Sequence, residues 1–381
     1  MDIEDTLLMI PGPVKVAPRV LRAMSRPMIS HRSGDFSAIY SDCCALLKPF
    51  FETANDVVVM TGSGTVGMDA AVASTIGHDD KIVTISNGKF GERFTEIGER
   101  YGRAVPVKFE WGTPFDLEKV EAAVEEGAKA VAMVHNETSV GLTNPAKEVG
   151  EIARKHDALF IVDGISSIGG NDFQTDEWGI DIAITGSQKA LAVPPGLAVV
   201  AVSQRAEERF LPQSRSYYAD LRAHLKSARK SQAQTPFTPA VSLFFALQEA
   251  LHMAEEEGFA ARRARTAQQA ESVRVAAKAL GIELFPKVNQ HSHYSNTVTA
   301  MKMPEGVSDD KLRGGMKKRG VVVSGGQDLI KGKIFRIGTM GMCSSGDILR
   351  TIQTLELILA QEGKIASCGA GVEAASRVLY K

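Results

Sequence analysis

The 381-residue sequence predicts an α/β fold: a mainly parallel, seven-stranded sheet with flanking helices, followed by a smaller C-terminal α+β unit. Three observations predict it. Short runs that are almost wholly apolar recur between residues 57 and 202, the mark of strands buried on both faces. Amphipathic helical patterns separate most of these runs, so strand and helix alternate. The join between the last two runs is too short for a helical crossover, so the final strand is expected to be antiparallel. The length suits two domains. We expect an N-terminal arm over 1–15, a large domain over 16–255, and a small domain over 256–381 that includes part of the N-terminal segment.

In order, Ile10-Pro11-Gly12-Pro13 cannot be helical. Pro18 to Ser25 suits a short helix, and apolar spacing from Phe36 to Phe50 a longer one. The first strand, Val57–Met60, runs into Thr61-Gly-Ser-Gly-Thr-Val-Gly67, with a helix from Met68 to Ile76. Lys81–Ile85, Ala104–Phe109, Ala130–Val134, Leu159–Val162, Ile182–Ile184 and Leu197–Val202 supply the other strands. Helices are expected through Tyr101, over Leu117–Glu126, and from Asn144-Pro145 to His156. Val241 to about Leu280 reads as helix, broken near Gly258. The last hundred residues carry strand patterns at Thr297–Met301, Val321–Val323 and Lys333–Ile337, with helices near 308–319 and 346–361.

Composition excludes several classes. A net charge of −1 offers no electrostatic attraction to nucleic acid or an anionic membrane. Cys43, Cys44, Cys343 and Cys368 form no C-x-x-C pair, so neither a disulfide framework nor a metal site is expected. Met1-Asp-Ile-Glu-Asp5 is acidic where a signal peptide is basic, and no apolar run approaches membrane-span length. A cytoplasmic protein is expected.

In open α/β sheets, ligands bind beyond the carboxyl ends of the strands. There the sequence places Gly62-Ser63-Gly64-Thr65, Phe90, Thr138-Ser139, Asp163, and Ser187-Gln188-Lys189. Backbone N–H groups and a hydroxyl at a helix start suit a phosphate. A desolvated lysine at a strand end suits imine formation. Together with an aromatic cover and a strand-end carboxylate, the set fits pyridoxal 5′-phosphate. Each residue also has an ordinary reading: Lys189 a loop lysine, Asp163 a turn residue, Phe90 a core residue. The glycine pattern also fits a nicotinamide dehydrogenase, but the second strand ends in Ser86-Asn87-Gly88 rather than in the acid that binds ribose.

Across the whole chain the sequence resembles the class V aminotransferases of fold-type I, the alanine–glyoxylate and serine–pyruvate group, and most the archaeal aspartate or broad-specificity members. The resemblance rests on Pro11-Gly12-Pro13, Thr61–Thr65, Asn87–Arg93, His135–Ser139, Ile161–Asp163, Gly186–Ala190, Pro194–Gly196, Thr235–Pro239 and Phe335–Gly338. It implies that Lys189 carries the cofactor as a Schiff base and then moves protons. Asp163 pairs with the pyridine nitrogen, Phe90 stacks on the ring, and Thr138 approaches the ring hydroxyl. Ser63, Gly64, Thr65 and Gln188 contact the phosphate or its surroundings. Thr238 and Thr235 reach the phosphate of a neighbouring subunit, so a homodimer is implied. Arg336 corresponds to the arginine that binds the substrate carboxylate, with Gly12 beside it. The expected reaction moves an amino group from aspartate, alanine or serine to 2-oxoglutarate, pyruvate or glyoxylate. A dicarboxylate donor needs a second cation, for which Arg32, with His31, is the candidate. The nearest rival is a cysteine desulfurase or another lyase of the same fold. Such relatives place His over the ring and carry a mobile-loop Cys, whereas this chain has Phe90, and Gly341-Met-Cys343-Ser-Ser does not look like that loop.

Overall fold

The computed structural model describes residues 6–381; the acidic opening, Met1–Asp5, lies outside the described residues. The first strand, β1 (Leu7–Met9), leads to helices α1 (Pro18–Met24) and α2 (Gly34–Phe51). The alternating region then follows: β2 (Asp56–Thr61), α3 (Gly64–Thr75), β3 (Lys81–Ser86), α4 (Lys89–Tyr101), β4 (Arg103–Lys108), α5 (Leu117–Glu125) and β5 (Ala130–Val134). A small hairpin, β6 (Asn136–Glu137) and β7 (Leu142–Thr143), precedes α6 (Ala146–Lys155), β8 (Leu159–Asp163), β9 (Ile182–Gly186) and β10 (Leu197–Val202).

These strands form a seven-stranded sheet in the order β2-β10-β9-β8-β5-β3-β4. Strands β9, β8, β5, β3 and β4 are mutually parallel, and β10 runs antiparallel to both β2 and β9. The expected antiparallel strand is therefore present, and it sits inside the sheet. Successive residues point to opposite faces, and both faces are dry. Val57, Val59, Val131 and Val162 pack under α2 and α9 (Val241–Glu257), while Val58, Met60, Ala132 and Ile161 pack under α3 and α4.

Helix α3 starts four residues earlier than the sequence suggests, at Gly64, with Ser63 in extended conformation before it. The glycines record close packing as well as turn freedom. A Cβ on Gly67 would lie 2.7 Å from Ile184 Cγ2, and one on Gly64 2.5 Å from Ile165 Cδ1. Helix α3 thus rests directly on the strand-end segments that carry Lys189 and Asp163.

Beyond β10 come α7 (Gln204–Glu208) and α8 (Leu221–Ala228), neither expected from the sequence. Gly258 separates α9 from α10 (Phe259–Ala279), where the sequence placed the break. Strand β11 (His293–Tyr294) joins β6 and β7 in a small sheet. The final strands are β12 (Val298–Lys302), β13 (Val321–Gly325) and β14 (Ile334–Gly338). They form a second sheet in the order β1-β13-β14-β12, so the N-terminal strand is an edge of the C-terminal sheet. A π-helical turn at Asp310–Gly314 enters α11 (Gly315–Lys318), and α12 (Ser345–Gln361) opens with a Ser344/Asp347 capping box. A further helix, α13 (Ala370–Leu379), packs on α10 and buries Ala375 and Leu379 in the second core. Its small residues gave no clear apolar stripe. No helix among the described residues is long and apolar enough to cross a membrane.

The contact between α4 and β3 gives a test. A Cβ on Gly91 would lie 2.7 Å from Ser86 Cα, a backbone atom with nowhere to move. Gly91→Ala should cost about 1–3 kcal/mol, read as a lower thermal midpoint. An unchanged midpoint would mean that α4 is not seated this closely.

Candidate active site

The carboxyl ends of β2, β3, β5, β8 and β9 surround a cavity of about 120 Å³. Its lining includes Ser63, Gly64, Thr65, Phe90, Thr138, Asp163, Gln188 and Lys189, all nominated from the sequence. Arg93, Asn136, Ser166 and Ile165 line it too.

Lys189 lies in the turn after β9, where its Nζ donates to the carbonyl of Pro11. Burial pulls its pKa down to about 8; the Asp163 charge opposes that shift, and the Arg336 and Arg93 charges assist it. Gly12 packs against the lysine chain, where a Cβ would lie 2.7 Å from Lys189 Cδ, and its φ of +122° is one that other residues avoid. The structure thus makes Gly12 a wall for the lysine.

Asp163 ends β8 and is 3% exposed. Its carboxylate accepts the Ile165 N–H at 2.7 Å, and burial raises its pKa to about 7. A buried carboxylate held by one neutral donor suits a cationic N–H partner, which a protonated pyridine ring supplies. Gln188 Oε1 is buried without a partner among the described residues; that oxygen only accepts, so a phosphate would be met by the Nε2 amide of the same side chain. Ser63, Gly64 and Thr65 line the same cavity, and the Gly64 and Thr65 N–H groups at the start of α3 have no helical acceptor of their own. The residues present therefore fit pyridoxal phosphate at both ends.

Phe90 is placed by a residue that the sequence reading left without a role. Glu137 is fully buried, and its Oε2 accepts the N–H groups of Phe90 (3.0 Å) and Gly91 (2.9 Å) at the start of α4. Its Oε1 accepts Ser139 N–H at 3.1 Å and Ser139 Oγ at 2.5 Å. Burial raises its pKa, and all four bonds work against that shift. Its position in the His135–Ser139 motif was the only signal available.

Thr138 Oγ1 lies 2.5 Å from Ser166 Oγ, and the Thr138 carbonyl accepts Arg336 Nη1 at 2.9 Å. Arg336, on β14, also donates from Nε (3.0 Å) and Nη2 (2.7 Å) to Gly325 O, and burial lowers its pKa to about 10. It stands beside the cavity lining, tethered through Thr138.

His31, Arg32, Thr235 and Thr238 do not line the cavity of their own chain. The Arg32 guanidinium is taken up by Gln234 Oε1, Thr235 O (2.6 Å) and Pro236 O (2.9 Å), so within its own chain it fastens that loop. Thr235 Oγ1 donates to Phe237 O at 2.7 Å, and exposed Thr238 lies 3.5 Å from His31 Nε2.

These features define a pyridoxal-phosphate enzyme of fold-type I. The aminotransferase class-V family profile matches residues 19–344, and the chain belongs to that family. It is 44% identical to an uncharacterized aminotransferase of Methanocaldococcus jannaschii, over 100% of this chain and 99% of that one. It is 35% identical to a serine–glyoxylate aminotransferase of Methylorubrum extorquens, over 98% and 95% of the two chains. The crystal structure of the ureidoglycine–glyoxylate aminotransferase of Bacillus subtilis superposes with a TM-score of 0.93 at 34% identity, covering 99% and 98%. The chain is an aminotransferase that uses pyridoxal 5′-phosphate. An apo cysteine desulfurase of Thermococcus onnurineus shares the fold alone, at 14% identity and a TM-score of 0.74. Burial pushes the Cys343 thiol up to about 12, the wrong direction for a nucleophile. The dehydrogenase reading loses its site as well, since Asn87 at the end of β3 is held by Asn144 and Thr113 O.

Two tests follow. Only the neutral amine of Lys189 attacks an aldehyde. With its pKa lowered to about 8, cofactor uptake by the cofactor-free protein should quicken as pH rises through 8 and then level off. Stopped-flow absorbance from pH 6 to 10 checks this, and a rate flat across that range would contradict it. Glu137→Gln presents an amide to N–H donors and should cost about 2 kcal/mol or more, read in thermal unfolding. A neutral outcome would mean the carboxylate is not what orders α4.

Proposed function

We propose that this aminotransferase moves the amino group of a small monocarboxylic amino acid, serine or alanine, to glyoxylate. The single observation behind the small donor is the fate of Arg32, the cation nominated for a side-chain carboxylate, whose guanidinium is occupied by its own loop. Lys89, beside Phe90, is likewise paired with Asp328 at 2.8 Å. Glyoxylate as acceptor is supported by the Bacillus subtilis and Methylorubrum extorquens relatives, whose names specify it.

In this reading the bound cofactor supplies an electron sink and a carrier for nitrogen. Lys189 Nζ, displaced from Pro11 O, takes and returns the α-proton. Asp163 holds a proton at the pyridine nitrogen, and Phe90 covers the ring. Thr138 approaches the ring hydroxyl. Ser63, Gly64, Thr65 and Gln188 hold the phosphate. Arg336 binds the α-carboxylate with its remaining N–H groups, close to Gly12. The dry pocket lowers the lysine's pKa to about 8, so that part of it is free amine near neutral pH, and it strengthens each polar contact.

A homodimer completes the proposal, in the cytoplasm. Tyr217 (85% exposed) and Tyr218 pack on Phe237 at 5.4 and 5.3 Å, and they leave an aromatic surface next to Thr238 in the chain. Such a surface suits a second copy, into whose site Thr238 and Thr235 would reach.

The purified protein should absorb visible light, and Lys189→Ala should abolish that band while pyridoxal phosphate still binds. A panel of amino donors against glyoxylate, pyruvate and 2-oxoglutarate should show serine or alanine with glyoxylate as the best pair. Aspartate with 2-oxoglutarate as the best pair would reject the substrate assignment. Arg336→Ala should raise the donor KM by about tenfold or more, the scale of a lost charge-assisted contact; an unchanged KM would remove Arg336 from the substrate site.

A further inference from the structure

Two cations line the cavity, Lys189 and Arg93. Lys189 is committed to the imine chemistry, whereas Arg93 has no role in the function proposed above. It follows Phe90 by three residues on α4, so the two side chains share a helix face. The guanidinium carbon lies 4.9 Å from the centroid of the Phe90 ring. Its Nη1 donates to Thr65 Oγ1 at 3.2 Å. These two contacts carry no formal charge; the carboxylate that feels the guanidinium across the cavity is Asp163, whose burial-raised pKa the Arg93 charge works to lower without a direct hydrogen bond. The adjacent acid, Glu92, is engaged by Trp111 Nε1 at 3.0 Å.

The phosphate of the cofactor is close to a dianion at neutral pH. The groups assigned to it within one chain are backbone N–H groups, hydroxyls and the Gln188 amide, all neutral. The α3 N-terminus adds only about half a positive charge. Arg93 reaches the same Thr65 hydroxyl from the α4 side and brings a whole one. A guanidinium also has enough donors to bond a hydroxyl and a phosphate oxygen together.

We propose that Arg93 is a further cofactor-binding residue: its guanidinium neutralises the phosphate at the start of α3 while holding Phe90 and Thr65 in place. The proposal rests on the pyridoxal-phosphate assignment and extends it to a residue outside the glycine loop. It also links the two ends of the cofactor, because one side chain touches both the ring cover and the phosphate loop.

The test compares pyridoxal 5′-phosphate with pyridoxal, which lacks the phosphate. Each is titrated into cofactor-free wild type, Arg93→Met and Arg93→Lys, with binding read by fluorescence quenching. The Met variant should bind pyridoxal phosphate about tenfold or more weakly and pyridoxal as wild type does. The Lys variant, which keeps the charge, should recover part of the loss. Equal weakening of both ligands would overturn the proposal, since Arg93 would then serve only to prop Phe90. Unchanged affinity for pyridoxal phosphate would overturn it too. If Arg93→Met does not fold, Arg93→Gln, which removes the charge but keeps a polar side chain, carries the same comparison: selective loss for the phosphorylated ligand supports the proposal, and parallel or absent loss rejects it. A wild type that binds neither ligand would remove the cofactor assignment and this proposal together, an outcome distinct from failure in the variants alone.

Discussion

The site depends on a carboxylate that takes no part in the chemistry. Glu137 is wholly buried and accepts four hydrogen bonds, two of them from the first turn of α4. A buried acceptor of this kind is costly unless every bond is made, so it permits one arrangement of the elements around it. That arrangement fixes where α4 begins, and with it Phe90 and Arg93. It also fixes the turn that carries Thr138, whose carbonyl holds Arg336 from the second sheet. One side chain thus sets the positions of Phe90, Arg93 and the Thr138 turn to which Arg336 is bonded.

The same dryness sets the electrostatics. Asp163 is raised toward neutral pH and Lys189 lowered toward it, both mainly because water is excluded. Two groups that ordinarily stay charged are brought within reach of proton transfer. Each is also left short of partners: Asp163 has one backbone donor, and Lys189 one backbone carbonyl. A cofactor with a basic nitrogen and an aldehyde meets both needs at once.

Much of this was legible in the sequence because parallel strands are apolar throughout and end in polar turns. The seven strands and the antiparallel final one follow from run length and spacing, and the residues at the strand ends collect in one place because the strands are parallel. The start of α3 was misplaced because Gly64 and Gly67 read as loop residues, whereas they are helical and small so that the helix can touch β9. Helix α13 escaped notice because its buried residues are few and small.

The sequence alone therefore determined the fold class and the cofactor, and it nominated the lysine and aspartate that the fold brings to one cavity, since these depend on local pattern and strand order. Tertiary structure decided the rest. It showed that Arg32 is bonded to its own loop, that Glu137 accepts the first N–H groups of α4, and that Arg93 reaches Thr65 at the start of α3. It also placed the N-terminal strand in the C-terminal sheet. The reason is physical: a charged side chain takes its role from the partners that desolvate or pair it, and those partners lie far away along the chain.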